Sequence, residues 1–148
     1  MPPAATPGFV NADVHDAVTL HPPCQALAAK RIVLQAFGAF NAGRGPEFAA
    51  VFAPGRRFSP SGYRHGIGRE AAIRFVKRRH RLGDEWTALV LRPPLGNDTP
   101  KLPDGTVRSA VYQLDVRVTQ AGRVVHPVTG VKVVISCTNG LVTGWVGP

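Results

Sequence analysis

The stretch with the most chemical content lies between Thr106 and Thr119. Read as an extended strand, it places Val111, Gln113, Asp115 and Arg117 on one face and Ala110, Tyr112, Leu114, Val116 and Val118 on the other, because successive side chains point to opposite sides of a sheet. One face is polar and one apolar. If the polar face lines a cavity, Asp115 is a carboxylate in apolar surroundings, where desolvation disfavours its charged form and suits it to general acid or base work. If that face meets solvent, Asp115 pairs with Arg117 or another surface arginine and does no chemistry. The sequence leaves both readings open. Tyr63 and His65 fall in a loop between a short strand and a helix, and such loops often present functional groups. A histidine can shuttle a proton near neutral pH, and a tyrosine hydroxyl can donate to a developing oxyanion. His126, beside Pro127, is a further candidate, whereas His15, His21 and His80 read as solvated side chains.

The segments that must position these groups follow from periodicity. From Pro23 to Ala42 the apolar residues Leu27, Val33, Leu34, Phe37 and Phe40 recur at spacings of three, four and seven, the mark of an amphipathic helix. Proline tolerates its first turn, and Asn41-Ala42-Gly43 supplies a glycine able to take the left-handed closing conformation. A short helix is expected from Pro46 to Phe52, a short strand from Arg56 to Ser59, and a third helix from Arg69 to Leu82 with Ala72, Ile73, Phe75 and Val76 inward. Strands then follow: Trp86 to Leu91, a long loop through Pro93-Pro94 and Leu102-Pro103, Thr106 to Thr119, Val124 to Ser136, and Leu141 to Val146. Pro127 cannot donate to a sheet ladder and should mark a bulge or an edge. Asn139-Gly140 reads as a tight hairpin in which both central positions need positive φ. Helices first and strands afterwards argue an α+β fold, with three N-terminal helices gathered on one face of a mainly antiparallel sheet.

The chain has 148 residues, 44% hydrophobic and 18% charged, which suits one globular domain and excludes a disordered tail, a collagen or a coiled coil. Residues 1–22, with Pro2, Pro3, Pro7, Gly8 and Pro22, read as an extended or flexible arm, and 23–148 as a single domain. Charges such as Lys30, Arg31 and Arg74 interrupt every apolar stretch, so no spanning helix is expected. The first twenty residues do not form a secretory signal, and a cytoplasmic location is expected. Cys24 and Cys137 are far apart and outside any metal-ligand or redox spacing, and read as free, buried thiols. No metal and no cofactor is expected: there is no phosphate-binding glycine loop, no serine nucleophile elbow and no acid pair at metal spacing. The net charge of +9 favours acidic partners. The run Lys77-Arg78-Arg79-His80-Arg81 closes the third helix, where cations complement the helix dipole. Nucleic-acid binding is not supported, since neither stacking aromatics nor a recognised module accompanies the run.

Four pieces occur in a telling order: Phe40-Asn41-Ala42-Gly43, Glu47-Phe48-Ala49-Ala50-Val51-Phe52-Ala53-Pro54, Gly66-Ile67-Gly68-Arg69-Glu70-Ala71-Ala72-Ile73-Arg74-Phe75, and Asn139-Gly140-Leu141-Val142-Thr143-Gly144-Trp145. Together, over about residues 25 to 147, they resemble the nuclear transport factor 2-like superfamily in its SnoaL-like branch. The resemblance implies a cone in which a strongly curved sheet wraps a pocket covered by the helices, and a homodimer formed through the sheet. The superfamily includes ketosteroid isomerases, polyketide cyclases, dehydratases, limonene epoxide hydrolases and many non-enzymes. Limonene epoxide hydrolases carry an Arg-x-Asp pair and a Trp-Arg-Asp run where this chain reads Gln113-Leu114-Asp115 and Trp145-Val146-Gly147. With the arginine and the second carboxylate missing, epoxide hydrolysis is rejected.

The resulting expectation is a pocket protein for a small hydrophobic or polycyclic molecule. Proton transfer (isomerisation, cyclisation or dehydration) would run through Asp115 assisted by Tyr63 or His65, and the pocket would be lined by Gln113, Trp86, Trp145, Phe37, Phe40 and Phe52. The alternative is a non-catalytic binding or dimerisation module whose cavity is filled by its own side chains. A homodimer is expected in addition because the even face of strand 106 to 119 stays apolar for longer than one helix can cover.

Overall fold

A computed structural model describes residues 22–61, 63–92 and 108–148. The long loop expected around Pro93 to Pro103, the Asp104-Gly105 turn and all of the N-terminal arm but Pro22 lie outside the described residues. A 3-10 turn at Pro22–Cys24 leads into α1 (Ala26–Asn41), followed by α2 (Gly45–Ala49), β1 (Phe58–Ser59) and α3 (Arg69–Arg81). The strands β2 (Asp84–Arg92), β3 (Ser109–Gln120), β4 (Arg123–Ser136) and β5 (Val142–Val146) follow. Among the described residues they form with β1 one sheet of five, ordered β1-β5-β4-β3-β2, in which only the β1–β5 pair of strands is parallel. The expected α+β architecture is thus what the chain adopts.

The helices form where the apolar spacing predicts, although Leu27, read as part of the stripe of α1, is 62% exposed and Leu34 is only half-buried. Ala29, Val33, Ala36, Phe37 and Phe40 are the buried face of α1, and Ala72, Phe75 and Val76 that of α3. The end of α1 is fixed to the sheet by Asn41, whose Nδ2 donates to the Trp86 carbonyl at 2.9 Å and whose Oδ1 accepts from the Trp86 amide at 2.8 Å. One side chain thereby satisfies both backbone groups of an edge strand that would otherwise be open to pairing. Gly43, at φ 72, turns the chain out of the helix as its left-handed freedom allows.

The sheet bends at irregularities. Val116 pairs with Thr129 and Val118 with His126, so Arg117 stands opposite both Pro127 and Val128. This is the bulge expected of a proline that cannot donate to the ladder. A second register shift, between Ala88 and Val90 on β2, moves the inward-facing set from Trp86 and Ala88 to Leu91. The hairpins differ from expectation. The Asn139-Gly140 turn has positive φ only at Gly140 (73°), because the Asn139 side chain accepts from the Leu141 amide at 2.9 Å and holds the turn itself. The two-residue loop with both φ positive is Ala121-Gly122, at 50° and 81°, joining β3 to β4.

The cysteine expectation is corrected. Cys24 and Cys137 are bonded to each other, 113 residues apart in sequence, with Cα atoms 4.7 Å apart. They are buried as expected, at 0% and 6% exposure, but topology brings the start of α1 against the end of β4, which cysteine spacing alone cannot reveal.

Candidate functional site at the open end of the sheet

The face of β3 that looks into the cone is the even one. Ala110, Tyr112, Leu114, Val116 and Val118 are all buried and belong to one core with Phe37, Phe40, Trp86 and Trp145. The basis for the homodimer, an even face too long to cover, therefore does not hold: the helices and the curl of the sheet cover it within one chain. Asp115 lies on the opposite, outer face, paired across the strands with Val90 and Gly130. Its Oδ2 accepts from the Arg92 guanidinium at 2.7 Å. Gln113 is exposed on that same outer face, opposite Lys132 and Arg92. Of the two surroundings considered for Asp115, the structure gives it the surface arginine, though the partner is Arg92 rather than Arg117.

The interior is occupied by aromatic side chains. Phe37, Phe40, Phe48, Phe58, Trp86 and Trp145 are each 2% exposed or less. Phe40 stacks on Trp86 with centroids 3.5 Å apart and planes 9° off parallel, and Trp86 in turn lies 6.3 Å from Trp145. Phe48 meets both tryptophans and Phe58 edge-on. Edge-on and offset contacts of this kind add to the area that the rings bury. Phe37, Phe40 and Trp145, expected to line a pocket, are core, while the partly buried Phe52 lies against a groove between the end of α2, β1 and the start of α3.

A cavity of about 240 Å³ does open where β2 and β4 begin and β3 ends, and it is lined by Phe75, Trp86, Val118, Asp84, Gln120 and His126, with Ser61, Arg79, Val125 and Pro148 around them. Asp84 stands at the first position of β2 and pairs across the hairpin with Gln120. Its carboxylate is 8% exposed: Oδ1 accepts from Gln120 Nε2 at 2.8 Å, and Oδ2 faces Arg79 Nη1 at 3.5 Å. Arg79 also lies 5.5 Å from the Phe75 ring centre, a cation over an aromatic face. The result is a buried, partnered acid on one wall and the Trp86 and Phe75 rings on another. The bulge at Pro127 restores His126 to the face of Val118, so its imidazole borders the same cavity.

Of the site residues expected from sequence, Gln113 and Asp115 share a hollow of about 260 Å³ on the outer sheet face with Lys132 and Val146, and the others are scattered. Tyr63 is 41% exposed, packs edge-on against Phe75 at 6.2 Å and accepts from Arg78 at 2.9 Å, which places it just outside the mouth. His65 is exposed in the loop before α3. Asp115 is on the other face of the sheet and five residues along β3 from Gln120, about 17 Å at the rise of an antiparallel strand. Asp84 escaped notice because it reads as the residue after a helix stop, and only its pairing with Gln120 makes it part of a site. Among the described residues, no three His, Cys, Asp or Glu side chains are grouped so as to hold a metal ion, and no helix is long and apolar enough to cross a membrane.

No protein-family model and no curated protein sequence matches the chain. Solved structures do. The orange carotenoid protein of Anabaena (Nostoc) sp. PCC 7120, determined binding canthaxanthin, superposes with a TM-score of 0.59 and 13% identity, over 97% of this chain and 41% of that one. The chain thus spans well under half the length of that carotenoid protein. A protein of Catenulispora acidiphila in complex with S-DNPA gives 0.52 and 21%, over 79% and 87% of the two chains. A protein of Cytophaga hutchinsonii, described as nuclear transport factor 2-like and of unknown function, gives 0.50 and 13%, over 78% and 83%. At these identities the likeness is one of fold.

Proposed function

We propose that this chain, whose fold is that of the nuclear transport factor 2-like proteins, binds a small molecule at the open end of its cone, against Trp86 and Phe75. The observation that carries the reading is the buried Asp84, held by Gln120 and Arg79 on the wall of an otherwise aromatic cavity. A few convergent polar groups in an apolar hollow are what a binding site for a small organic molecule requires. One structural neighbour is described in complex with S-DNPA, and another, of whose length this chain matches 41%, as binding canthaxanthin, which supports the class of function without naming the ligand.

The cavity volume of about 240 Å³ sits just below the roughly 300–1,000 Å³ of drug-sized sites, which favours a small, single-ring ligand over a polycyclic one. Both Asp84 oxygens are engaged, so Asp84 serves as a fixed acceptor that orients its neighbours. Isomerase, cyclase or dehydratase chemistry would fall in this reading to His126, whose imidazole lies on the cavity rim, and not to Asp115. The homodimer implied by the resemblance would join outer sheet faces, where Val146 is 57% exposed next to Lys132; sedimentation that shows a monomer at micromolar concentration removes it. The disulfide favours an oxidising compartment over the cytoplasm, since such bonds are rare where thiols are kept reduced.

The test is a thermal-shift screen of small aromatic compounds against the wild-type chain and Val118→Trp, which fills the mouth. Compounds that raise the melting temperature of the wild type alone support the site. Hits that act equally on both chains, or none at all, overturn it.

A further inference from the structure

We infer that a second site, between the end of α2, the edge strand β1 and the start of α3, takes a short-chain carboxylate: one anionic head on an apolar tail. A groove of about 260 Å³ runs between the turn after α2 and the start of α3, floored by Phe52, Phe58, Ile67 and Ala72, with Arg57 and Arg69 on its walls. It is separate from the mouth cavity, with which it shares no residue, so it stands or falls independently of the proposal above.

The floor is firm. Phe58 and Ala72 are 1% and 4% exposed, and the loop between them is tied by the Ile67 amide donating to the Phe58 carbonyl at 2.7 Å. Arg57 is fixed at both ends: its carbonyl accepts from the Trp145 amide at 2.8 Å, and its Nε donates to the Pro54 carbonyl at 3.1 Å. That leaves the two terminal nitrogens as donors in a held position. Among the described residues the ion pairs are Arg44 with Glu47, Arg79 with Asp84 and Arg92 with Asp115, so neither guanidinium of the groove is neutralised there. The nearest acid along the chain, Glu70, is exposed in the first turn of α3.

Arg74, Lys77, Arg78 and Arg81 are exposed at spacings of three and four, which puts them on one helix face. That face is turned about half a helical turn away from the groove-lining Ala72, so these cations add only to the general positive potential of the molecule. An apolar floor with two positive walls matches a carboxylate whose tail lies along Phe52 and Ile67, and it rejects the corresponding amine, because a guanidinium binds a carboxylate through paired, charge-assisted hydrogen bonds and repels an ammonium.

Isothermal titration of octanoate into the full chain tests this, with octylamine and acetate as comparison ligands. The expected result is one saturable site for octanoate and none for octylamine or acetate. In the double variant Arg57→Ala, Arg69→Ala the affinity falls about tenfold or more, as loss of a charge-assisted contact implies. Both side chains are exposed, and circular dichroism checks that the double variant is folded. Ala53→Phe, which occupies the groove and leaves both arginines in place, is expected to lose octanoate binding as well, whereas Val118→Trp at the mouth is not. Absence of saturable binding, equal binding of octylamine, unchanged affinity in the arginine variant, or loss confined to Val118→Trp each overturns the assignment.

Discussion

Cys24 and Cys137 are joined across 113 residues, so that the turn before α1 is stapled to the end of β4. Beside the bond, the buried Tyr112 hydroxyl donates to the Cys24 carbonyl at 2.7 Å, which ties the same turn to β3. A crosslink that closes so long a stretch restricts the unfolded chain strongly, by about 2–5 kcal/mol in natural proteins. Replacing both cysteines by alanine is expected to lower stability by about that amount in urea denaturation. Reductant is expected to reproduce the loss in the wild type and to leave the double variant unchanged; a wild type indifferent to reductant would contradict it.

Asp115 and Arg92 make the shortest of the ion pairs among the described residues, yet their side chains are 25% and 55% exposed. Surface pairs of this kind contribute about 0–1 kcal/mol. Asp115→Asn is therefore expected to shift stability by no more than that, and to leave any ligand affinity measured at the mouth or in the α3 groove unaltered. A loss of binding or turnover in this variant would return Asp115 to a functional role.

The contrast between the two aspartates marks what could be read from sequence. The helices were legible because apolar side chains at helical spacing, such as Val33, Phe37 and Phe40, have no other way to be buried together. The bulge at Pro127 was legible because a missing donor has only a few places to go. The faces of β3 were distinguishable, but which face was inward depended on how three helices and the curl of the sheet would cover it, a long-range outcome. The core rings Phe37, Phe40 and Trp145 look the same in sequence whether they line a hollow or fill it. Asp84 had no local mark: its burial comes from Gln120 across a hairpin and Arg79 from the helix before it.

Removal of the Asp84 carboxylate should therefore cost more than removal of Asp115. Asp84→Ala leaves Gln120 without its acceptor and Arg79 without its partner at the cavity wall. The expected destabilisation is about 1–3 kcal/mol, the usual consequence of deleting one side of a buried polar contact. Because Arg79 is itself 35% exposed and can turn to water, most of the loss should come from the buried contact with Gln120. Gln120→Ala combined with Asp84→Ala, in a double-mutant cycle by chemical denaturation, would then cost less than the sum of the two single variants. Strict additivity would show that the two side chains do not act together.

The hairpin between β3 and β4 offers the opposite sign. Ala121 is the only non-glycine with positive φ among the described residues, at 50°, followed by Gly122 at 81°. An alanine Cβ in the left-handed region is crowded against the backbone at about 1–2 kcal/mol, whereas asparagine tolerates that region and is favoured in two-residue hairpin loops of this shape. Ala121 is exposed, and its amide already donates to the Gly83 carbonyl at 2.9 Å, a bond that an asparagine keeps. Ala121→Asn is thus expected to stabilise the chain by about 0.5–1 kcal/mol, since only part of the αL strain of alanine is relieved. A rise of the urea midpoint with an unchanged slope is the outcome that agrees; a fall would mean that the turn is held by contacts other than its own backbone geometry.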